Sequence, residues 1–466
     1  MRKIVFGLVI LCGVVSGVQA EELVASTSPA KNLIWIVADG MGPELMGFFM
    51  EGARSGAMRD YKKDVAAMEH LINDGEQGLF FNNTQGTIVT DSAAAATQMA
   101  TGKWSLPGRI GIDYQGNPVE NLLELAKKKG KAIGIISDAY VTDATPAGFT
   151  AHVQNRRDKT EIARQQLALA PEVILGGGKK YFSDGENENL LAQAAEQGYQ
   201  IVFDKKSLLK ARQGRLLGLF ADKGMPMAVE MHAHPKTPSL VQMAQKALDL
   251  LAQDEDGFVL MVEAGKLDWA AHANDAGATL AELKELDKVI DAAQAFAKQH
   301  PGTFIYLNAD HDTGLGSFVY QNLDNSGAAH KTRQGEVLYK GNVFYGNFDT
   351  YAKLEKQRRS LYYLQQEWEK LPAEKLTPSF IQKQLSKALG YPVDMSEFEN
   401  VSDVPGIFKQ LNTQYGLAWA TQTHSAAVLI GVAYGPGQEK FKGVYHNTEI
   451  LPKLKTVLGF HEESYD

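Results

Sequence analysis

Long apolar runs recur along the chain, and each of them stops at polar residues. The runs at 32–38, 131–137, 172–175, 258–262 and 303–308 are β-rich, and a late run at 426–433 has the same character. Such continuous runs fit strands buried on both faces. Between them, residues 119–129, 160–169, 239–252 and 279–298 read as helices. Strands alternating with helices imply crossover connections. The expected fold class is therefore α/β, with a mostly parallel central sheet covered by helices on both faces. The rhythm breaks at about 318–420, a segment of mixed charge that holds Tyr345, Tyr351, Arg358, Arg359, Tyr362, Tyr363 and Trp368. It is expected to be an insertion before the last core strand, with one amphipathic helix over 351–371. It is either a peripheral structural element or an arm or lid over the site. The reading is a leader over 1–20 and one domain over 21–466.

The leader has Arg2 and Lys3, then an apolar run at 4–15, then small residues ending at Ala20. This is the layout of a secretory signal, and the run is short for a bilayer span. Export to a periplasmic or extracellular compartment is expected, with no stable membrane anchor. Cys12 is the only cysteine and lies in the leader, so a mature chain has neither a thiol nucleophile nor a thiolate metal site. Any metal must be held by His, Asp and Glu. The composition, 44% hydrophobic and 22% charged, is ordinary for a globular protein. The formal charge of −8 becomes more negative by two when Arg2 and Lys3 are removed. That argues against a nucleic-acid surface, although not against a local cationic pocket for a small anion.

Ligands of open α/β sheets sit beyond the carboxyl ends of the strands. Asp39 follows the first run, Glu263 the fourth, and Asp310 with His311 the fifth. One such acid is commonly a turn former or cap; three strand ends with metal-type ligands are a stronger pattern. Asp268 and His272 stand four apart, on one face if helical, where they can grip one ion or merely hydrogen-bond to each other. Ser92 opens the Ala-rich run 92–96 after an apparent short strand at 87–90. A serine there is usually an N-cap, yet its hydroxyl would also stand at the positive end of a helix, where an anion is favoured. No Gly-x-Ser-x-Gly elbow frames it.

Residues 91–97 (Asp-Ser-Ala-Ala-Ala-Ala-Thr) resemble the nucleophile motif of alkaline phosphatases. The resemblance continues through Asp143-Ala144-Thr145-Pro146-Ala147, Ala151-His152-Val153, Arg156, the segment 263–272, Ala309-Asp310-His311 and Thr423-His424. It implies Ser92 as nucleophile and Arg156 as the clamp on substrate phosphate. It also implies Asp268, His272 and His424 as ligands of a first zinc, and Asp39, Asp310 and His311 as ligands of a second. Asp39, Thr145 and Glu263 would hold magnesium, so the implied cofactors are two Zn2+ and one Mg2+ per subunit. Asp143 and Trp269 are expected beside the third ion or the water shell of the phosphate. They depart from relatives that carry His at the first position and Lys or His at the second. His424 is preferred to His330 for its local sequence, His152 is taken as structural support, and His232 and His234 as surface residues. The resemblance further implies small phosphate monoesters as substrates, a phosphoserine intermediate and a homodimer. The competing classes are related diesterases or sulfatases and a non-catalytic phosphate or metal binder. Sulfatases need a different nucleophile motif, which is missing, and diesterases commonly use Thr without an Arg clamp.

Overall fold

A computed structural model describes residues 28–460 except 62–64, 184–188, 323–327, 332–335 and 396–403; the expected leader and Cys12 lie outside the described residues. Eight strands of the central sheet come before the insertion: β1 (Asn32–Val37), β2 (Glu76–Phe81), β3 (Ala132–Tyr140), β4 (Val173–Gly177), β5 (Gln200–Val202), β6 (Leu216–Leu219), β7 (Phe258–Glu263) and β8 (Thr303–Asn308). With Leu429–Tyr434 and Gly443–His446 they form one sheet of ten strands. From one edge the order is Gly443–His446, β2, Leu429–Tyr434, β8, β1, β7, β3, β4, β6, β5. Leu429–Tyr434 runs antiparallel to both neighbours, and every other pairing is parallel. The α/β expectation therefore holds.

The central strands β1, β7 and β8 are buried at every position, as continuous apolar runs require. Trp35 anchors the core, its ring 4.9 Å from Phe149 and 5.6 Å from Tyr306, and its indole N–H donates to Asn308 at 2.6 Å. The sequence did not flag β2, β5, β6 or Gly443–His446. These are short or half-exposed strands near the sheet edges, where the apolar signal is weak. The strand expected over 87–90 is absent: Thr84 and Thr87 close a tight turn, and Ile88 stands exposed.

The insertion packs beside the core. Tyr351, Leu364, Trp368, Leu385 and Phe408 are buried in the same apolar cluster as the sheet. The single helix expected over 351–371 is instead two, Asp349–Leu354 and Leu361–Trp368. Between them Gln357 reaches Asp275 at 2.7 Å, the Arg358 N–H donates to the Ala388 carbonyl at 2.7 Å, and Ser360 caps the second helix. These contacts draw the backbone out of a continuous helical path.

Candidate metal centre and anion site

Strand register builds the site. Val37 is level with Glu263 on one side and Asn308 on the other, and Ser137 is level with Glu263. The carboxyl ends of β8, β1, β7 and β3 thus lie side by side. Asp310, Asp39 and Glu263 emerge there from adjacent strands, which is how residues far apart in sequence meet. Gly40 makes the turn possible. It has φ +76°, and a Cβ there would lie 3.0 Å from the Asp268 Cα. Its N–H donates to Asp310 Oδ1 at 3.3 Å.

Three imidazoles face the centre with the same nitrogen. His272 Nδ1 lies 2.6 Å from the Gln422 carbonyl oxygen, and His424 Nδ1 lies 2.9 Å from that of Thr90. A carbonyl only accepts, so both rings carry their proton on Nδ1. The Thr313 hydroxyl donates to Asp268 Oδ1 at 2.6 Å and lies 3.2 Å from His311 Nδ1, which assigns the same tautomer to His311. Each Nε2 is then a lone pair turned inward. His272 Nε2 and His424 Nε2 are 3.2 Å apart, and Asp268 Oδ1 is 3.3 Å from the first and 3.8 Å from the second. His311 Nε2 lies 3.3 Å from Asp39 Oδ1 and 3.2 Å from Asp310 Oδ2, and both of those buried oxygens lack a hydrogen-bond partner. Such a gathering of acceptors fits divalent cations, with each ring oriented by the oxygen at its back.

The charge balance agrees. Burial, then neighbouring Asp310, drives the Asp39 carboxyl well above its usual range. Burial and then Asp268 push Asp310 up to about 7, and burial and then Asp143 push Glu263 up to about 8. Burial holds His311 well below the usual imidazole value and lowers His424, which favours the neutral ring in each. These carboxylates cannot all ionise together in so small a space unless cations answer them. Thr145 donates to Asp39 Oδ2 at 3.5 Å, and Glu263 accepts from Ser137. Asp39, Thr145 and Glu263 form an oxygen-only group beside the mixed nitrogen and oxygen groups, the donor chemistry of a harder cation.

Ser92 is the first residue of the helix Ser92–Thr101 but is not its cap. Asp91 takes that role, accepting from the Ala94 N–H at 3.0 Å. The Ser92 hydroxyl is thereby released and lies 3.0 Å from His311 Nε2. Ser92 itself is buried, only 4% exposed. The alanines beside it serve packing: a Cβ on Gly148 would lie 2.8 Å from the Ala96 Cβ, so small residues let the two helices approach closely.

Arg156 stands at the rim, with Nη1 3.2 Å from Asp91 Oδ2 and Nη2 3.5 Å from Asp143 Oδ1. Asp143 caps the helix Ala144–Gly148, and its Oδ1 accepts from Lys159 Nζ at 2.9 Å. Burial pushes this carboxyl up, but Lys159 and Arg156 outweigh it and leave it below the usual value. Asp143 thus meets cationic side chains. The Trp269 ring packs 5.8 Å from Tyr140 and 5.4 Å from Tyr362, with Lys266 Nζ 3.4 Å from its centroid. His152 has the supporting place expected of it, with Gly111 and Glu124 each 2.8 Å from a ring nitrogen. His232 and His234 are exposed. Sequence reasoning missed Lys159 and Thr313. Lys159 stands only three residues after Arg156, but nothing in the chain tells such a lysine from an ordinary helix start.

Residues 30–460 match the family model described as alkaline phosphatase. Alkaline phosphatase 3 of Bacillus subtilis (strain 168) is 30% identical over 459 residues, spanning 95% of this chain and 92% of that one. The crystal structure of Thermus thermophilus alkaline phosphatase is similar at TM-score 0.80 and 27% identity, covering 94% of this chain and 93% of that one. A cold-active alkaline phosphatase from a psychrophilic Shewanella sp. is similar at TM-score 0.74 and 28% identity, covering 92% and 99%.

Proposed function

Because the chain belongs to the alkaline phosphatase family and is a phosphomonoesterase, we propose that it works through a phosphoserine on Ser92 at a site of two zinc ions and one magnesium ion. The observation that carries this is the meeting, at 3.0 Å, of the Ser92 hydroxyl with an inward-facing lone pair of the imidazole and carboxylate cluster. In this reading Asp268, His272 and His424 hold the first zinc, and Asp39, Asp310 and His311 the second. Asp39, Thr145 and Glu263 hold magnesium. When bound, paired divalent ions lower the pKa of a nucleophilic oxygen and offset the charge that builds on a leaving oxygen.

The chain's own residues do the rest. Arg156 binds two phosphate oxygens through its planar fork. The helix that starts at Ser92 turns its positive end toward the anion. Ser92 Oγ attacks phosphorus opposite the ester oxygen; as the Oγ–P bond forms, the ester bond breaks, and the alcohol leaves with a proton that balances the one the serine lost. Water then attacks the phosphoserine, the Oγ–P bond breaks, the serine regains its proton and phosphate departs. Trp269 and Asp143 border the water around the phosphate.

Arg156→Ala tests the substrate class. Losing a charge-assisted contact should raise KM for a small monoester by about tenfold or more, and should narrow the preference for monoester over diester, both read from steady-state rates. A wild-type protein that prefers a diester would sink the reading.

We also propose export to the periplasm or beyond, which rests on the leader's sequence. Among the described residues no helix is long and apolar enough to cross a membrane. A homodimer is supported by an apolar row at the sheet edge, where Ile430, Leu79 and Val444 stand in register, with Leu79 45% and Val444 68% exposed. Light scattering should give the mass of two chains for the wild type and of one for Leu79→Glu combined with Val444→Glu. A wild-type mass of one chain would exclude the dimer.

A further inference from the structure

Arg156 is bracketed by two carboxylates, and their claims on it are unequal. Nη1 makes a hydrogen bond to Asp91 Oδ2 at 3.2 Å, whereas Nη2 stands 3.5 Å from Asp143 Oδ1, beyond ordinary hydrogen-bond length. That same Asp143 oxygen is taken by Lys159 Nζ at 2.9 Å and by the Ala144 N–H at 3.0 Å. Lys159 is well fixed. It is the first residue of the helix Lys159–Leu169, its side chain is 16% exposed, and its ammonium lies 4.4 Å from the centre of the Tyr140 ring. Tyr140 belongs to β3, the strand that leads into Asp143, so one scaffold holds both partners of the pair. With two acids and two bases the group Asp91, Asp143, Arg156 and Lys159 is formally neutral. Without Lys159 it would carry one net negative charge beside the place where a phosphate dianion must sit.

We infer that Lys159 is a positioning residue for phosphate binding: it occupies the Asp143 carboxylate and so leaves Arg156 Nη2 free for the substrate. The inference rests on the proposed role of Arg156. A guanidinium claimed fully by two carboxylates has fewer donors to offer a third anion. The ammonium removes one claimant.

The test is a double-mutant cycle read by phosphate affinity as well as by rate, on zinc- and magnesium-loaded protein whose ion content is measured for each variant. Lys159→Met should raise both KM for 4-nitrophenyl phosphate and the inhibition constant of inorganic phosphate by about tenfold, the size of one charge-assisted contact, without lowering kcat. Lys159→Arg should stay near the wild type. Adding Asp143→Asn to Lys159→Met should bring phosphate affinity most of the way back, because the competing charge is gone. Unchanged phosphate inhibition in Lys159→Met overturns the inference. So does a double variant as weak as Lys159→Met, since that would mean the lysine touches phosphate itself or only supports the fold. Arg156→Ala is the control: if it leaves phosphate affinity intact, the reading of Arg156 fails, whereas an effective Arg156→Ala beside a silent Lys159→Met refutes only the role of the lysine.

Discussion

Replacing Ser92 with alanine should cut turnover of a phosphate monoester by at least about a thousandfold, the scale expected when a covalent nucleophile is lost. Protein fold and divalent-ion content should be unaltered. The expectation of an intact fold comes from the helix start. Asp91 supplies the side-chain cap and Ser92 only follows it, so alanine removes no capping bond. Alanine is also the best helix former and matches the alanines at 93–96 that already pack there. The change takes away one oxygen, which stands 3.0 Å from His311 Nε2. Steady-state rates together with elemental analysis of the purified variant give the answer. Turnover within a few-fold of wild type would remove Ser92 from the chemistry, and loss of the ions would make it a structural member of the metal cluster.

Stripping the divalent ions with a chelator should abolish activity and should also change how stability responds to pH. In the ion-free protein burial raises Asp310 to about 7 and Glu263 to about 8, from ordinary values of 3.8 and 4.5, and it raises Asp39 as well. A carboxyl whose folded pKa lies above its unfolded one binds more protons folded than unfolded across that interval. Its contribution is intact below about pH 4 and is lost as pH climbs toward 8, so the chelated protein weakens on the alkaline side. Bound cations replace those protons, and their affinity grows as the ligands deprotonate. The melting-temperature gap between loaded and stripped protein should therefore widen from pH 5 to pH 9, by roughly 5 °C or more for a few kcal/mol in a chain of this size. Calorimetry at the two pH values measures it. A gap that stays constant or narrows, or a stripped protein that keeps its activity, would contradict the cluster's assignment as a metal site.

What could be read from the chain followed the physics of burial. Central strands such as Thr303–Asn308 and Phe258–Glu263 are covered on both faces, so their apolar runs are unbroken and their ends sharp. Strand β2 carries alternating exposure one strand in from the sheet edge, and its pattern fades into that of a loop. The helix break at Gln357 came from a partner, Asp275, more than eighty residues earlier, and no local signal announces it. The site divides in the same way. Asp39, Glu263, Asp310 and His311 were legible because each stands at or just past a strand end, and Asp268 with His272 because of helical spacing. The pairing of Lys159 with Asp143 and the relay from His311 through Thr313 to Asp268 are through-space facts, set by packing between segments that do not know each other in sequence.

The backbone carbonyls behind the imidazoles carry a consequence for the order of assembly. His424 is oriented by Thr90, 334 residues earlier, and His272 by Gln422, 150 residues later. A ribosome delivers Ser92 and its helix long before it delivers His424. The segment that bears that ring is held by its pairing with Asp312–Thr313 and by the core strand Leu429–Tyr434, which inserts between β8 and β2. Closing so long a loop is entropically costly and slow, so ion capture at full affinity belongs to the final stage of folding, after the whole sheet has closed.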